Sequence, residues 1–206
     1  MSHPKHTMTQ LKQTPSQTVG PYFAYGLTPT QYSYDFKSLF TPVLAEPRAD
    51  GEHILITGQV FDGAGTPVND AIVEIHQRNA AGQIVGTLDE AQAQGFTGFG
   101  RCGTGTLADN CYEFSTVKPG TGRQGEAPFI DVCVTMRGLL VHTFSRIYFD
   151  DEANANAADA VLQSVPADRR ATLVATRSMT NAGPVYRFDI HMQDSAHGKE
   201  TVFFDL

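Results

Sequence analysis

Seven histidines are the residues of this 206-residue chain best suited to metal or acid–base chemistry. Their spacing matches no common ligand pattern, because the chain contains no HxH, HExxH or CxxC motif. Three lie in strand-like segments and three in polar terminal segments, namely His76, His142 and His191, and His3, His6 and His197. Together with Asp131, the strand histidines would supply a two-histidine, one-carboxylate iron site if the fold brought them together. A structural role is the simpler interpretation of single histidines on strands.

Neither the cysteines nor the glycine-rich segment indicates a nucleophilic or phosphate-binding site. Cys102, Cys111 and Cys133 are 9 and 22 residues apart, which matches no zinc or redox motif. We therefore expect reduced, mostly buried thiols that pack as small apolar side chains. The segment GFGRCGTG, residues 98–105, lacks the strand-to-helix context of a phosphate loop, and the chain has no GxSxG elbow. We predict a connection between strands there.

The composition is that of a globular protein with an acidic balance. Charged residues make up 18% of the chain, and 15 Lys and Arg face 22 Asp and Glu, a formal charge of −7. Without a basic cluster, this charge argues against a nucleic-acid partner. The first 17 residues contain no apolar core of a secretory signal, and no apolar run approaches the length of a membrane span. We expect a soluble, cytoplasmic protein with no membrane partner.

The elements that must position these residues are predicted to be mostly strands. Nineteen glycines and 11 prolines favour short strands joined by tight turns. Residues 1–52 carry six prolines and no strong periodicity, which predicts an N-terminal arm and linker with one short helix near Tyr34–Phe40. Residues 53–206 are predicted to form one antiparallel β-sandwich domain of the all-β class. One or two short helices are expected in all, including one in DDEANANAADAVLQSV before Pro166.

Two predicted strands show the alternation of a half-buried sheet. In residues 71–77 and 129–135, apolar β-branched residues alternate with polar or aromatic ones. Phe129 and Asp131 therefore share the face opposite the buried valines. If the second strand stays regular through Met136, Arg137 lies on that same face.

Residues 56–84, ITGQVFDGAGTPVNDAIVEIHQRNAAGQI, carry the most specific pattern of the chain. A G-x-V-x-D-x-x-G-x-P-V run leads into A-x-V-E, then H-Q, then N-A-x-G. This pattern resembles the opening hairpin of the intradiol aromatic-ring dioxygenases. The similarity reaches over nearly all of the chain from Thr14 onward, through TVKPG at 116–120, PFIDVCV at 128–134, RIYFDDE at 146–152, RFDI at 187–190 and ETVFFDL at 200–206.

The chain departs from that family at the metal site. Complete members hold Fe(III) with two tyrosinates and two histidines. At the corresponding places this chain has Ile84, the tyrosine-free segment 121–127, Phe129 and Asp131. Isoleucine and phenylalanine have no lone pair to donate, and one aspartate cannot replace a four-residue set. We therefore interpret Ile84, Phe129 and Asp131 as vacated metal positions, and we expect no metal and no catalytic residue in this chain alone.

Whole-chain similarity with an emptied site resembles the α subunit of a heteromeric intradiol dioxygenase, whose β subunit binds the Fe(III). The resemblance implies a hetero-oligomer of αβ pairs that cleaves protocatechuate with O2 to 3-carboxy-cis,cis-muconate. It also implies four substrate-binding residues: Thr18, Gly20, Pro21 and Arg137. Gly20 would permit close backbone approach, Pro21 would form a rigid apolar wall, and Thr18 would fix the arm or a water. Arg137 would offer a cation to the anionic catechol or to developing charge.

Other interpretations stay open at this point. From the residues alone, a surface ion pair explains Arg137 and a polyproline linker explains the arm. A transthyretin-like sandwich that binds a small aromatic or another protein, without catalysis, is a second hypothesis. A self-sufficient metalloenzyme using His76, Asp131, His142 or His191 is a third.

Overall fold

The computed structural model of the protein describes residues 12–194 and 198–205, so His3, His6 and His197 lie outside the described residues. The strands are β1 His53–Phe61, β2 Ile72–Gln77, β3 Phe99–Gly103, β4 Cys111–Val117, β5 Ile130–Thr135, β6 Thr143–Phe149, β7 Val174–Thr180, β8 Gly183–Arg187 and β9 Ile190–His191. The α-helices are α1 Phe23–Leu27, α2 Leu88–Gln94, α3 Ala153–Ala158 and α4 Ala160–Ser164. Short 3₁₀ turns cover Pro29–Tyr32, Ala108–Asn110, Asp150–Glu152 and Arg170–Leu173.

The strands form one sheet with the order β3-β2-β5-β6-β7-β8-β1-β4, and β9 pairs with β1. Strands from both ends of this order bury their inner faces in one core, where Ile56 and Phe114 pack with Ile75 and Val132. The predicted β fold is therefore confirmed. The prediction of an antiparallel sheet is wrong in part, because β1 runs parallel to β8 and β9, and β6 runs parallel to β7. The segment carrying α3 and α4 links β6 to β7, and such crossovers permit parallel pairing.

The helices are short, as predicted, but the described residues contain four of them. Tyr34–Phe40 is not helical; the helical part of the arm comes earlier and ends at Ser33, whose φ of 60° is left-handed. The helix expected before Pro166 is interrupted at Asp159, where the backbone is extended. The Asp159 carboxylate accepts the backbone N–H of Leu162 at 2.8 Å and so caps α4.

The segment GFGRCGTG contains strand β3, so the prediction of a connection there is wrong. Gly100 pairs with Ile75, and a side chain at Gly100 would collide with Leu44 from the arm. Glycine in this strand therefore reflects close packing rather than a turn. The thiols are free, with Cys102 buried and the other two half-buried, as expected.

Hydrogen bonds attach the arm to several strands of the sheet, among them β3 and β4. The Gln31 side chain accepts the backbone N–H of Gly103 at 2.8 Å and donates to its carbonyl at 3.3 Å, which ties the arm to β3. Leu44 donates its backbone N–H to the Ser115 carbonyl of β4 at 2.8 Å. In residues 12–194 and 198–205, none of the helices is long and apolar enough to cross a bilayer.

Candidate functional site

Two of the three positions interpreted as vacated metal positions, Phe129 and Asp131, lie at the outer face of β5. Val132 and Val134 are at most 1% exposed on the inner face, whereas Asp131 is half-buried on the outer face and Phe129 directly precedes the strand. This confirms the predicted alternation. The strand holds both vacated positions at the molecular surface.

Arg146 fills the space beside these two positions. It stands opposite Asp131 on neighbouring β6, and its Nε donates to Asp131 Oδ1 at 2.9 Å. Its guanidinium carbon lies 3.9 Å from the centre of the Phe129 ring. Burial opposes the charge of Arg146, but hydrogen bonds with Tyr148 and Asp131 raise its pKa above the usual value. A cation therefore lies beside Phe129 and Asp131, and it would repel a ferric ion there.

The nearby phenol does not fit a tyrosinate ligand either. The Tyr148 ring lies 6.2 Å from the Phe129 ring, and its hydroxyl donates to Asp159 Oδ1 at 3.1 Å. Burial raises the pKa of Tyr148 well above its usual value, so the phenol stays protonated at neutral pH. The residues present on this face do not fit Fe(III).

The loops of the two vacated tyrosine positions lie against each other. Gly120 donates its backbone N–H to the Asn79 carbonyl at 2.9 Å, and a side chain at Gly82 would collide with the Thr121 carbonyl. Ile84, at the end of the first loop, is 55% exposed. The two segments at which the resemblance places the missing tyrosines are therefore in contact in this chain.

A cavity of about 350 Å³ opens on the same outer face, a size at the lower end of ligand sites. His76, Asp131 and His142 line it, but His191 lies elsewhere and stacks on Phe61 at 4.9 Å. Within the part of the chain that the structure describes, no three His, Cys, Asp or Glu side chains are placed to share a metal ion. The self-sufficient metalloenzyme therefore gains no support from the geometry.

The structure brings two of the four predicted substrate-binding residues together. Gly138 donates its backbone N–H to Thr18 Oγ1 at 2.8 Å, which joins the arm to the turn that carries Arg137. Strand β5 ends at Thr135, so Arg137 lies in this turn and not on a continued strand as expected. Gly20 and Pro21 are exposed at the entry to α1, and the surroundings of Gly20 are open.

Sequence reasoning missed two partners of these residues. Asp70 forms an ion pair with Arg137, and Arg146 forms one with Asp131. The Asp131–Arg146 pair joins neighbouring strands, and the Asp70–Arg137 pair lies just beyond the paired ends of β2 and β5. Both pairs therefore become visible only once the register of the strands is known.

Comparison with known proteins agrees with this geometry. The model of the Dioxygenase family matches residues 20–139. The chain is 60% identical over 200 residues to the protocatechuate 3,4-dioxygenase alpha chain of Burkholderia cepacia, covering 97% of this chain and 100% of that relative. It is 43% identical over 81 residues to the beta chain from the same organism, covering 38% of this chain and 34% of the beta chain.

A solved structure shares the fold at low sequence identity. The dioxygenase domain of a dioxygenase carbohydrate-binding protein fusion from Streptomyces sp. SirexAA-E has a TM-score of 0.60 and 21% identity, covering 88% of this chain and 100% of that one. The family match covers more than half of the chain, and the alpha-chain relative covers nearly all of it. The chain therefore belongs to the intradiol dioxygenase family.

Proposed function

We propose that this chain is the α subunit of a heteromeric protocatechuate 3,4-dioxygenase and binds no iron itself. The complex would insert both atoms of O2 into protocatechuate between its hydroxyl-bearing carbons, giving 3-carboxy-cis,cis-muconate. The observation that carries the proposal is the Arg146 guanidinium, which lies against Phe129 and Asp131 in a chain that is similar to alpha chains over nearly its whole length.

The partner in this proposal is an iron-bearing β subunit, and Fe(III) on that subunit supplies the oxidative chemistry. Similarity of one stretch of this chain to a named beta chain supports pairing of two related folds. We place the complex in the cytoplasm, in the β-ketoadipate pathway of aromatic catabolism. Residues 1–52 then act as the arm that reaches the partner, and residues 53–206 as the sandwich domain.

This chain would contribute walls and a cation to the shared site. Protocatechuate carries a ring carboxylate, and a chain of charge −7 needs a local cation to receive an anion. The Arg137 side chain is 53% exposed, and within residues 12–194 and 198–205 only its Nε has a partner. Its terminal nitrogens are free to donate to an anionic substrate, at about 1.5–3 kcal/mol for each charged hydrogen bond.

The arm would complete the wall beside Arg137. Thr18 is held to the Arg137 turn by its hydroxyl. Pro21 is exposed, and its ring restricts the backbone at small entropic cost. Gly20 has no neighbour near its α-carbon, which leaves room for close approach by substrate or partner.

The test is reconstitution of the complex. The chain should be produced alone and together with an iron-bearing β subunit, and protocatechuate-dependent O2 uptake measured for both. We expect uptake only from the complex, with 3-carboxy-cis,cis-muconate as product. Arg137→Ala should lower kcat/KM about tenfold while iron stays bound, since about 1.4 kcal/mol of transition-state binding is lost.

A matched control is Glu46→Gln, which removes the carboxylate of an exposed Arg48 pair with a 2.8 Å contact. Its kinetics should equal those of the wild type. The proposal would be contradicted if the chain formed no complex with the β subunit and bound small aromatics on its own. That result would favour the transthyretin-like binding module.

A further inference from the structure

We infer that Asp70 is a positioning residue of the shared site: it holds Arg137 so that the terminal guanidinium nitrogens face the substrate. This inference rests on the proposed function and adds to it a residue for which no motif gave a signal.

The strand register explains why these two residues meet. Ile72 of β2 pairs with Thr135 of β5 in an antiparallel ladder. Asp70 precedes Ile72 by two residues and Arg137 follows Thr135 by two, so they continue the same register beyond the strand ends. The paired ends of β2 and β5 therefore bring the two side chains within reach of each other.

The contact uses one nitrogen and leaves the others available. Arg137 Nε donates to Asp70 Oδ2. The Asp70 side chain is 15% exposed and that of Arg137 is 53% exposed, so the carboxylate is the fixed partner and the guanidinium the accessible one. A long arginine side chain loses considerable rotamer entropy when it is ordered. Because the fixed carboxylate orders Arg137 before substrate binds, substrate binding need not include that entropy loss.

The same turn also holds the arm. The Thr18 hydroxyl accepts the N–H of Gly138, the residue next to Arg137. Asp70 therefore fixes the turn from the sheet side, and Thr18 binds it from the arm side. A shift of the turn would displace the cation and the arm wall together.

Positioning makes a prediction opposite to that of simple charge neutralisation. If Asp70 only competed with the substrate for Arg137, its removal would strengthen binding of the anionic substrate. If Asp70 orients Arg137, its removal weakens binding, and only for substrates that carry the ring carboxylate.

The experiment compares Asp70→Ala, Asp70→Asn, Asp70→Glu, Arg137→Ala and the Asp70→Ala/Arg137→Ala double variant in the assembled complex. KM and kcat are measured for protocatechuate, and the inhibition constant for catechol, which lacks the carboxylate. We expect Asp70→Ala to raise KM for protocatechuate about three- to tenfold with kcat and catechol inhibition little changed. Asp70→Glu should restore part of this loss, and the double variant should match Arg137→Ala alone.

Glu46→Gln is again the control, because it also removes a carboxylate that is paired with an arginine. If Asp70→Ala does not assemble, Asp70→Asn replaces it in the test, since asparagine keeps the shape of the side chain. An unchanged or lower KM for protocatechuate would overturn the inference, as would equal losses for protocatechuate and catechol. The inference would also be overturned if the loss of protocatechuate binding in the double variant equalled the sum of the losses in the two single variants. Failure of the proposed function looks different, because the wild-type complex would then show no protocatechuate-dependent O2 uptake at all.

Discussion

Arg146→Ala tests whether the guanidinium has a stabilising role at the vacated metal positions. The ion pair to Asp131 joins side chains that are 22% and 42% exposed, so solvent screening limits it to about 0.5 kcal/mol. The guanidinium stacked 3.9 Å from the centre of the Phe129 ring contributes about 1 kcal/mol. With the loss of packing along the side-chain stem, we expect the free energy of unfolding to fall by about 1–3 kcal/mol.

Urea unfolding of the full chain at pH 7, followed by fluorescence and circular dichroism, measures this change. Asp131→Asn removes only the ion pair and should lower the free energy of unfolding by about 0.5 kcal/mol. Arg146→Lys keeps the charge but loses the planar guanidinium, so its loss should lie between those of Asp131→Asn and Arg146→Ala. A loss below about 0.3 kcal/mol for Arg146→Ala, within the usual scatter of surface substitutions, would refute the reasoning. A loss for Asp131→Asn as large as that for Arg146→Ala would refute the assignment to the ring contact.

Three further predictions concern the frame around the site. Asp159→Ala should lower the free energy of unfolding by about 3–5 kcal/mol in the same urea titration, because the 2% exposed carboxylate accepts three hydrogen bonds whose donors would lose their partner; a loss under 1 kcal/mol would contradict this. Gly58→Ala should prevent soluble expression because its new methyl group would overlap the Phe188 carbonyl, whereas Gly26→Ala, in open space, should express normally; equal yields would contradict the packing. Burial would raise the pKa of Asp151, but hydrogen bonds from Lys118 and Tyr186 outweigh burial and leave this pKa lower than usual. The Asp151 carboxylate therefore stabilises the fold above its unfolded-state pKa, and this stabilisation is lost as the pH falls through its folded-state pKa. Thermal unfolding below pH 4 should accordingly be less pH-dependent in Asp151→Asn than in the wild type.

The alternation of apolar residues was enough to predict the site-bearing strands. The alternation over residues 129–135 predicts a strand with Phe129 and Asp131 on its outer face, and the structure has that strand at Ile130–Thr135. The local period of two residues determines which face a side chain takes, independently of the neighbouring strands. The prediction for Arg137 was wrong because alternation does not show where a strand ends, and β5 ends at Thr135.

Features that depend on contacts between residues far apart in the sequence could not be predicted. Parallel pairing of β6 with β7 and the Arg146–Asp131 contact arise from the order of strands in the sheet, which periodicity does not contain. Strand β3 could not be predicted because Gly100 reflects close packing against Leu44, a contact that joins residues far apart in the chain.

In the proposed function, this chain binds no iron because the apolar Phe129 and Ile84 stand at positions that the family resemblance assigns to the metal, and Arg146 lies against Phe129. The most direct measurement is the iron content of the purified chain, produced alone in iron-supplemented medium and compared with the complex that contains the β subunit. We expect stoichiometric iron and its phenolate-to-Fe(III) absorption in the complex, and neither in the chain alone. Stoichiometric iron in the isolated chain would contradict it.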